Sequence, residues 1–147
     1  MNTNVLGPYR LTYKVTDAFE ISETKFRTVI VIDTIRPVIN SLTGEDTIRY
    51  QINTSYIDQV AATDNYWNPL TPGRTGNINV NVMGTYPLLY NVSDGSGNEA
   101  IPYRLWIKID DLVAPVLTLK WSDDMTVDVN TLFVDPGFNV SDNYYPA

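Results

Sequence analysis

Apolar and polar residues alternate along much of the chain, and the clearest run begins at Gly84. Tyr86, Leu88, Tyr90 and Val92 occupy every second position, and the loop Asp-Gly-Ser-Gly-Asn follows them. A second alternating run comprises Ile101, Tyr103, Leu105, Ile107 and Ile109. A period of two places alternate side chains on one face of a strand. The pattern predicts a β-hairpin whose second strand turns those five side chains inward and the intervening ones outward.

The hairpin pattern occurs twice, 77 positions apart. Gly7, Tyr9, Leu11, Tyr13, Val15 and Asp17 match Gly84, Tyr86, Leu88, Tyr90, Val92 and Asp94. An acidic linker follows each copy, with Pro37 matching Pro115 at an offset of 78. Three more alternating runs predict strands: Ile48, Tyr50 and Ile52; Ile78, Val80 and Val82; Met125, Val127 and Val129. Self-similarity at a fixed period is typical of tandem modules.

The spacing divides the chain into repeats of about 78 residues. Residues 34–110 form a complete repeat, residues 1–33 the C-terminal half of a preceding one, and residues 111–147 the N-terminal half of a following one. Short strands between turns, without helical periodicity, predict an all-β fold of β-sandwich type. Two arrangements would complete the half repeats. Either the sequence is a window on a longer chain, which we expect, or residues 1–33 of one molecule complement residues 111–147 of the next.

The composition of the chain excludes several classes of function. The formal net charge of −7 argues against nucleic acid, which requires a basic face, and fits a solvated extracellular surface or one that takes up cations. The chain has neither Cys nor His, and no P-loop or dinucleotide motif, so we expect no enzymatic activity. It contains no apolar run of the roughly 18 residues that predict a membrane span.

Acidic residues are predicted to converge at one junction. The topology of the complete repeat places the Asp94–Asn98 loop at the end where the chain enters, beside linker residue Asp33, with Asp64 and Asn65 as further neighbours. Carboxylate and amide oxygens are ligands that Ca²⁺ prefers, so these five residues are candidate calcium ligands. The alternative is that Asp94 and Asn98 only form the turn, as Asp and Asn commonly do. The spacing of an EF-hand is absent.

Two aromatic residues follow the Asp64–Asn65 pair. Tyr66 and Trp67 could form a sugar-stacking surface, or they could cap the sandwich by packing on it. Packing is the expected role.

The motifs together resemble the bacterial surface Ig-like repeat, which is similar to hyalin repeats. The matching residues are Gly84, Tyr86, Tyr90, Val92, Asp94, Gly97 and Asn98; Asp33 and Pro37; and Asp135, Pro136, Gly137, Asp142 and Asn143. Two stretches depart from the pattern: the first hairpin lacks the Gly-Asn pair after Asp17, and the complete repeat has Asp58-Gln59-Val60 in place of Asp-Pro-Gly. The resemblance implies Ig-like sandwiches that stack in long secreted chains, as stalks and adhesins of bacterial cell surfaces.

We therefore expect a structural spacer, non-catalytic and stiffened by calcium at repeat junctions, in a cell-surface or secreted adhesin or filament. Its partners would be adjacent repeats or neighbouring protomers. One alternative is a module that binds a surface glycan or a protein through Trp67 and Tyr66. Another is an accessory domain of a secreted hydrolase.

Overall fold

The computed structural model describes residues 1–144, and the last three residues of the predicted third domain lie outside that range. The described residues form ten strands and no helix, which confirms the all-β prediction. The strands are β1 (Gly7–Thr16), β2 (Ser22–Val31), β3 (Val38–Ser41), β4 (Thr47–Gln51), β5 (Val60–Thr63), β6 (Gly73–Thr75), β7 (Gly84–Asn91), β8 (Tyr103–Asp110), β9 (Val116–Leu119) and β10 (Phe138–Ser141). Within residues 1–144, a long apolar helix of the kind that crosses a bilayer does not occur.

The strands form three two-stranded sheets and one four-stranded sheet. β1 pairs with β2, β3 with β5, and β9 with β10, all antiparallel. The four-stranded sheet has the order β4-β8-β7-β6. In it β6 is antiparallel to β7, whereas β4 runs parallel to β8. The two alternating runs of the predicted hairpin are the neighbouring strands β7 and β8.

The contacts divide the chain into two compact units, each assembled from separate segments. The first unit comprises Met1–Asp46, Asp58–Thr75 and Leu88–Leu105. Its buried apolar strand residues come from β3, β5, β7 and β8, since alternation turns one face of each strand inward. They are Ile39, Ala62, Leu88, Tyr90 and Leu105, joined by Ala100 just before β8.

The second unit comprises Thr47–Ile57, Gly76–Pro87 and Trp106–Ala147. Its buried residues are Ile52, Ile107 and Ile109. The N–H of Ile52 donates to the carbonyl of Asp110, which continues the parallel β4–β8 ladder by one residue.

Two expectations for the hairpin region were wrong in detail. Ile101 does not face inward; its side chain is 70% exposed, because β8 begins only at Tyr103. Pro102 separates Ile101 from the strand and has no N–H to donate to a ladder. Residues 78–82 form no strand. Asn79 instead closes a turn there, accepting the N–H of Asn81 on its side chain and that of Val82 on its carbonyl.

The predicted strand over Met125–Val129 is also absent from the structure. Its alternating apolar side chains are exposed, 87% in the case of Val129. Thr131 closes a turn after this stretch by donating from both its N–H and its hydroxyl to the carbonyl of Asp128. Alternation alone therefore does not make a strand where no neighbouring strand supplies hydrogen bonds.

Hydrogen bonds, backbone angles and strand register recur at the spacing of 77–78 positions that the sequence shows. Tyr86 donates its hydroxyl proton to the carbonyl of Val82, and Tyr9 does the same with Val5, each at 2.9 Å. The same left-handed backbone, with φ at 64°, occurs at Asn53 and at its counterpart 77 positions later, Asn130. The β3–β5 register repeats residue for residue in β9–β10, 78 positions on.

Candidate metal site

The first component of the site is the turn that follows β7. Asp94 lies at its start, and its Oδ1 accepts the N–H groups of Ser96 and Asn98 at 2.9 and 2.8 Å. Asp is favoured here because its short carboxylate can satisfy backbone N–H groups a few residues on. Gly97 takes a φ of +89°, a conformation that glycine adopts without a steric penalty. The turn therefore fixes the Asp94 carboxylate through backbone N–H groups that donate to its Oδ1.

The second component is Asp33, in the linker that follows β2. Its side chain is buried, and its Oδ1 accepts the N–H of Ile35 at 3.1 Å. Its Oδ2 is shielded from solvent and has no hydrogen-bond partner. Burying an ionisable oxygen without a partner is costly, and such groups are rare in folded proteins. This oxygen is the least satisfied atom of the linker.

The third component is the loop that follows β5. Asp64 Oδ2 accepts the N–H groups of Tyr66 and Trp67, each at 2.9 Å. The Asn68 amide braces the same loop, since it donates to the Asp64 carbonyl at 2.6 Å and accepts the Asp64 N–H at 3.2 Å. Backbone hydrogen bonds thus hold this carboxylate as well.

The three carboxylates meet in the first unit. Asp33, Asp64 and Asp94 each supply one oxygen, and these oxygens all lie within 4.8 Å of one another. Among the described residues, none of the three carboxylates forms an ion pair with a lysine or arginine. Three acidic groups are therefore held together without an ion pair to a lysine or arginine of the described residues.

The two asparagines of the predicted set have different roles. Asn98 donates from its amide nitrogen to Asp94 Oδ2 at 2.7 Å and to the carbonyl of Asp33 at 3.3 Å, so it positions the cluster. The Asn65 amide lies beside Asp64 and Asp33, and with its nitrogen toward them it donates to both Asp64 oxygens at 3.2 and 3.3 Å and to Asp33 Oδ1 at 3.3 Å. Asn98 thus braces the Asp94 side of the cluster, and Asn65 braces the side formed by Asp33 and Asp64.

The surroundings of Asp94 favour its ionised form. Burial raises the pKa of this carboxyl, but hydrogen bonds from the Asn98 side chain and from the backbone of Asn98, Ser96 and Gly97 outweigh that effect and lower the pKa below its ordinary value. Asp94 is therefore charged in its folded environment, as a metal ligand must be.

Trp67 joins the loop after β5 to the turn after β7. Its indole Nε1 donates to Ser96 Oγ at 3.0 Å, and three of its ring carbons lie 2.6–2.7 Å from where a Cβ on Gly95 would be. Tyr66 makes an edge contact with Trp67 at 5.3 Å between ring centroids and is 39% exposed. The Trp67 ring thus packs on the Asp94 turn, and the glycine that makes room for it was not singled out in the sequence.

A shallow groove of about 200 Å³ lies elsewhere on the first unit. It is lined by Arg36, Pro37, Val38, Ile39, Ile101, Pro102 and Tyr103. Neither Tyr66 nor Trp67 contributes to it, so the aromatic pair and the groove are separate features.

A related acidic group occurs in the second unit. Asp111, 78 positions after Asp33, accepts the N–H of Val113 at 3.1 Å and the Gln51 amide at 3.2 Å on Oδ1. The Val113 N–H lowers the pKa of Asp111, burial opposes it, and Gln51, Asn143 and Asp142 lower it further. The last two residues stand 78 positions after Asn65 and Asp64, so the same residue types meet again.

No protein-family model matches the chain. An uncharacterized 81.3 kDa protein of Acholeplasma phage L2 is similar, with 26% identity over 137 residues, a stretch that covers 85% of this chain. The match spans 18% of the length of that relative.

Proposed function

We propose that the chain is a structural spacer, without catalytic activity, made of tandem Ig-like sandwich modules in a long, surface-exposed protein. The observation that supports it is the recurrence of the same hydrogen-bonded turns and strand register every 77–78 positions. Enzymes need one unique constellation, whereas a spacer needs the same unit repeated. Residues that build turns and linkers, rather than a cleft, are the ones that recur.

Two further facts support this proposal. The chain contains neither His nor Cys, the most versatile side chains for acid–base and nucleophilic chemistry. The similarity to a short segment of a much longer phage protein fits a module embedded in a large chain. The partners of such a module are the repeats next to it, and we place it on the outside of a cell or a particle.

Small-angle scattering on a lengthened chain tests the spacer role. Duplicating residues 34–111 once and then twice adds whole repeats. A spacer extends by a nearly constant increment of maximum dimension per added repeat, and its melting temperature changes little. If the maximum dimension rises only with the cube root of the mass, the added repeats join one compact particle, which contradicts the proposal.

Glycan-array binding tests the alternative that the loop aromatics recognise a ligand. The Trp67 indole is engaged by Ser96 and covers Gly95, which favours the packing role. We expect no specific glycan signal. Binding that Trp67→Ala abolishes in a variant that still folds would make the chain a binding module instead.

A further inference from the structure

We propose that Asp33, Asp64 and Asp94 bind one Ca²⁺ ion, with Asn65 as an additional ligand. We also propose that the Asn65 amide turns over when the ion binds. The inference rests on the geometry of the first unit and stands independently of the spacer role.

The first argument is uncompensated charge. Three carboxylate oxygens lie within 4.8 Å of one another, and two of the residues, Asp33 and Asp94, are only 9% and 8% exposed. Like charges at this distance repel, and burial strengthens the repulsion because water screens it less. No lysine or arginine of the described residues forms an ion pair with them. A divalent cation balances most of this charge at one point.

The second argument is the orphaned oxygen of Asp33. This carboxylate is more than nine-tenths buried, and its Oδ2 is reached by neither water nor any donor. A buried carboxylate oxygen without a donor is expected where a metal ion is the missing partner. Because Asp33 also contributes to the 4.8 Å cluster, the missing partner and the excess negative charge lie at the same place.

The third argument is that the two oxygens of each carboxylate differ in their hydrogen bonds. One oxygen of each accepts backbone N–H groups: Asp33 Oδ1, Asp64 Oδ2 and Asp94 Oδ1. The other oxygen of each accepts no backbone N–H: Asp33 Oδ2 has no hydrogen-bond partner, and Asp94 Oδ2 accepts only the Asn98 amide. Hydrogen bonds that orient ligating carboxylates in this way are typical of metal sites.

Asn65 supplies the fourth protein ligand and a response to the ion. Without an ion, its amide nitrogen faces Asp64 and Asp33, donates N–H protons to their carboxylates at 3.2–3.3 Å and relieves part of the repulsion. After the amide turns over, its oxygen occupies this place and can bind the ion. Half a turn of the Asn65 amide therefore suits this side chain to both the ion-free and the ion-bound site.

The donor set selects calcium. All four groups offer oxygen only, and Ca²⁺ accepts 6–8 oxygens in flexible geometry, so waters or carbonyls complete the shell. Mg²⁺ requires a near-ideal octahedron and retains several waters, which suits a cluster with buried ligands poorly. Softer transition metals prefer the imidazole and thiolate ligands that this chain lacks.

Titration of the full chain with Ca²⁺ after chelator treatment tests the site. We expect one saturable site, an increase of several degrees in melting temperature, and an affinity in the range of about 0.1–1 mM that extracellular modules show. Trp67 lies against the Asp94 turn, so Tb³⁺ bound at the site should be excited through it, and Ca²⁺ should displace that emission while Mg²⁺ does so at least tenfold less effectively.

Two variants provide a matched comparison. Asp94→Asn should weaken Ca²⁺ binding at least tenfold. Asp17→Asn should not, although Asp17 forms the same turn by accepting the N–H groups of Phe19 and Ile21 at 2.8 and 2.9 Å, because Asp17 does not belong to the acidic cluster. Equal losses in both variants would show that only the turn matters.

The Asp33→Asn variant separates loss of the ion from a folding defect, because its effect on the melting temperature should change sign with calcium. Asp33→Asn removes an uncompensated charge, so this variant should melt above the native chain without calcium and below it at saturating calcium. A variant that melts lower under both conditions, or a native chain that shows no saturable Ca²⁺ binding, overturns the proposal. Neither result bears on the scattering increments that test the spacer role.

Discussion

At the scale of single residues, aspartate serves three separate purposes in this chain. Asp17 and Asp94 shape turns by accepting backbone N–H groups. Asp110 accepts from Arg49 and from Lys108 at the end of β8. Asp33 is buried with one oxygen unpaired. The same side chain is thus a backbone mimic, half of an ion pair or a candidate ligand, according to which donors surround it.

The Asp110 ion pairs should make stability depend on pH. Lys108, followed by Arg49, lowers the pKa of Asp110 below its ordinary value, although burial opposes them. A pKa that is lower in the folded state stabilises the fold above the ordinary value of about 3.8, and this contribution is lost as the pH falls through the folded-state pKa. The melting-temperature difference between the native chain and Asp110→Asn should therefore be largest near neutral pH and vanish in acid.

The matched control for that experiment is Glu99→Gln, at an exposed position that forms no salt bridge among the described residues. The Asp110→Asn difference should exceed the difference that Glu99→Gln produces, because only Asp110 loses ion pairs. Added salt should reduce the Asp110→Asn difference, since Arg49 and Lys108 are about half exposed. A difference that does not decrease as the pH falls below about 3.8 would argue against the ion pairs.

Burial along β8 predicts unequal effects of two substitutions. Leu105 is completely buried, so Leu105→Ala should lower the free energy of unfolding by about 2–5 kcal/mol. Lys108 points outward, and Lys108→Ala should cost about 0.5 kcal/mol or less. Denaturant titration measures both. Equal costs would mean that the strand register is shifted by one residue.

At the scale of elements, the β7–β8 turn and the loop after β5 are held together by one aromatic ring. Trp67 reaches across to Ser96 and covers Gly95. The backbone hydrogen bonds of Asp64 hold Trp67 in turn, so the carboxylate and the ring position each other. The acidic cluster therefore depends on a packing contact as well as on its own hydrogen bonds.

Gly95→Ala should break this contact. The backbone there suits alanine, but the new Cβ would lie 2.6 Å from two indole carbons, so Trp67 must move. We expect a loss of about 1–3 kcal/mol, as for other overpacked sites. In a Trp67→Ala background the same change should cost far less, and a double-mutant cycle measures the difference. Additive losses would show that the ring accommodates the methyl group elsewhere.

The elements also show what a sequence pattern can predict. The run from Tyr86 to Val92 predicts β7 correctly because a neighbouring strand lies on each side. The runs over 78–82 and 125–129 form no strand: a turn closes at Asn79 within the first run, and another at Asp128 near the end of the second. Alternation reports which side chains could share a face, but it carries no information on where the partner strand is.

At the scale of the whole molecule, the internal spacing was the most informative signal in the sequence. It predicted that Asp33 lies beside the Asp94 turn with Asp64 as a further neighbour, since hairpin topology limits where a turn and a linker can meet, and the three carboxylates do cluster. It did not predict the orientation of Asn65 or the contact between Trp67 and Gly95. Those features depend on side-chain packing between loops about thirty residues apart, for which composition and periodicity contain no signal.

The parallel pairing of β4 with β8 has a mechanical consequence. The parallel ladder joins five residues of each strand. When force is applied at Thr47, where β4 starts, and at Asp110, where β8 ends, it acts on opposite ends of this ladder. Its hydrogen bonds then share the load and must rupture together, whereas tension applied to one end of an antiparallel hairpin opens its bonds one after another. Single-molecule stretching should therefore give a high rupture force for this ladder, and lower forces for the β1–β2 hairpin.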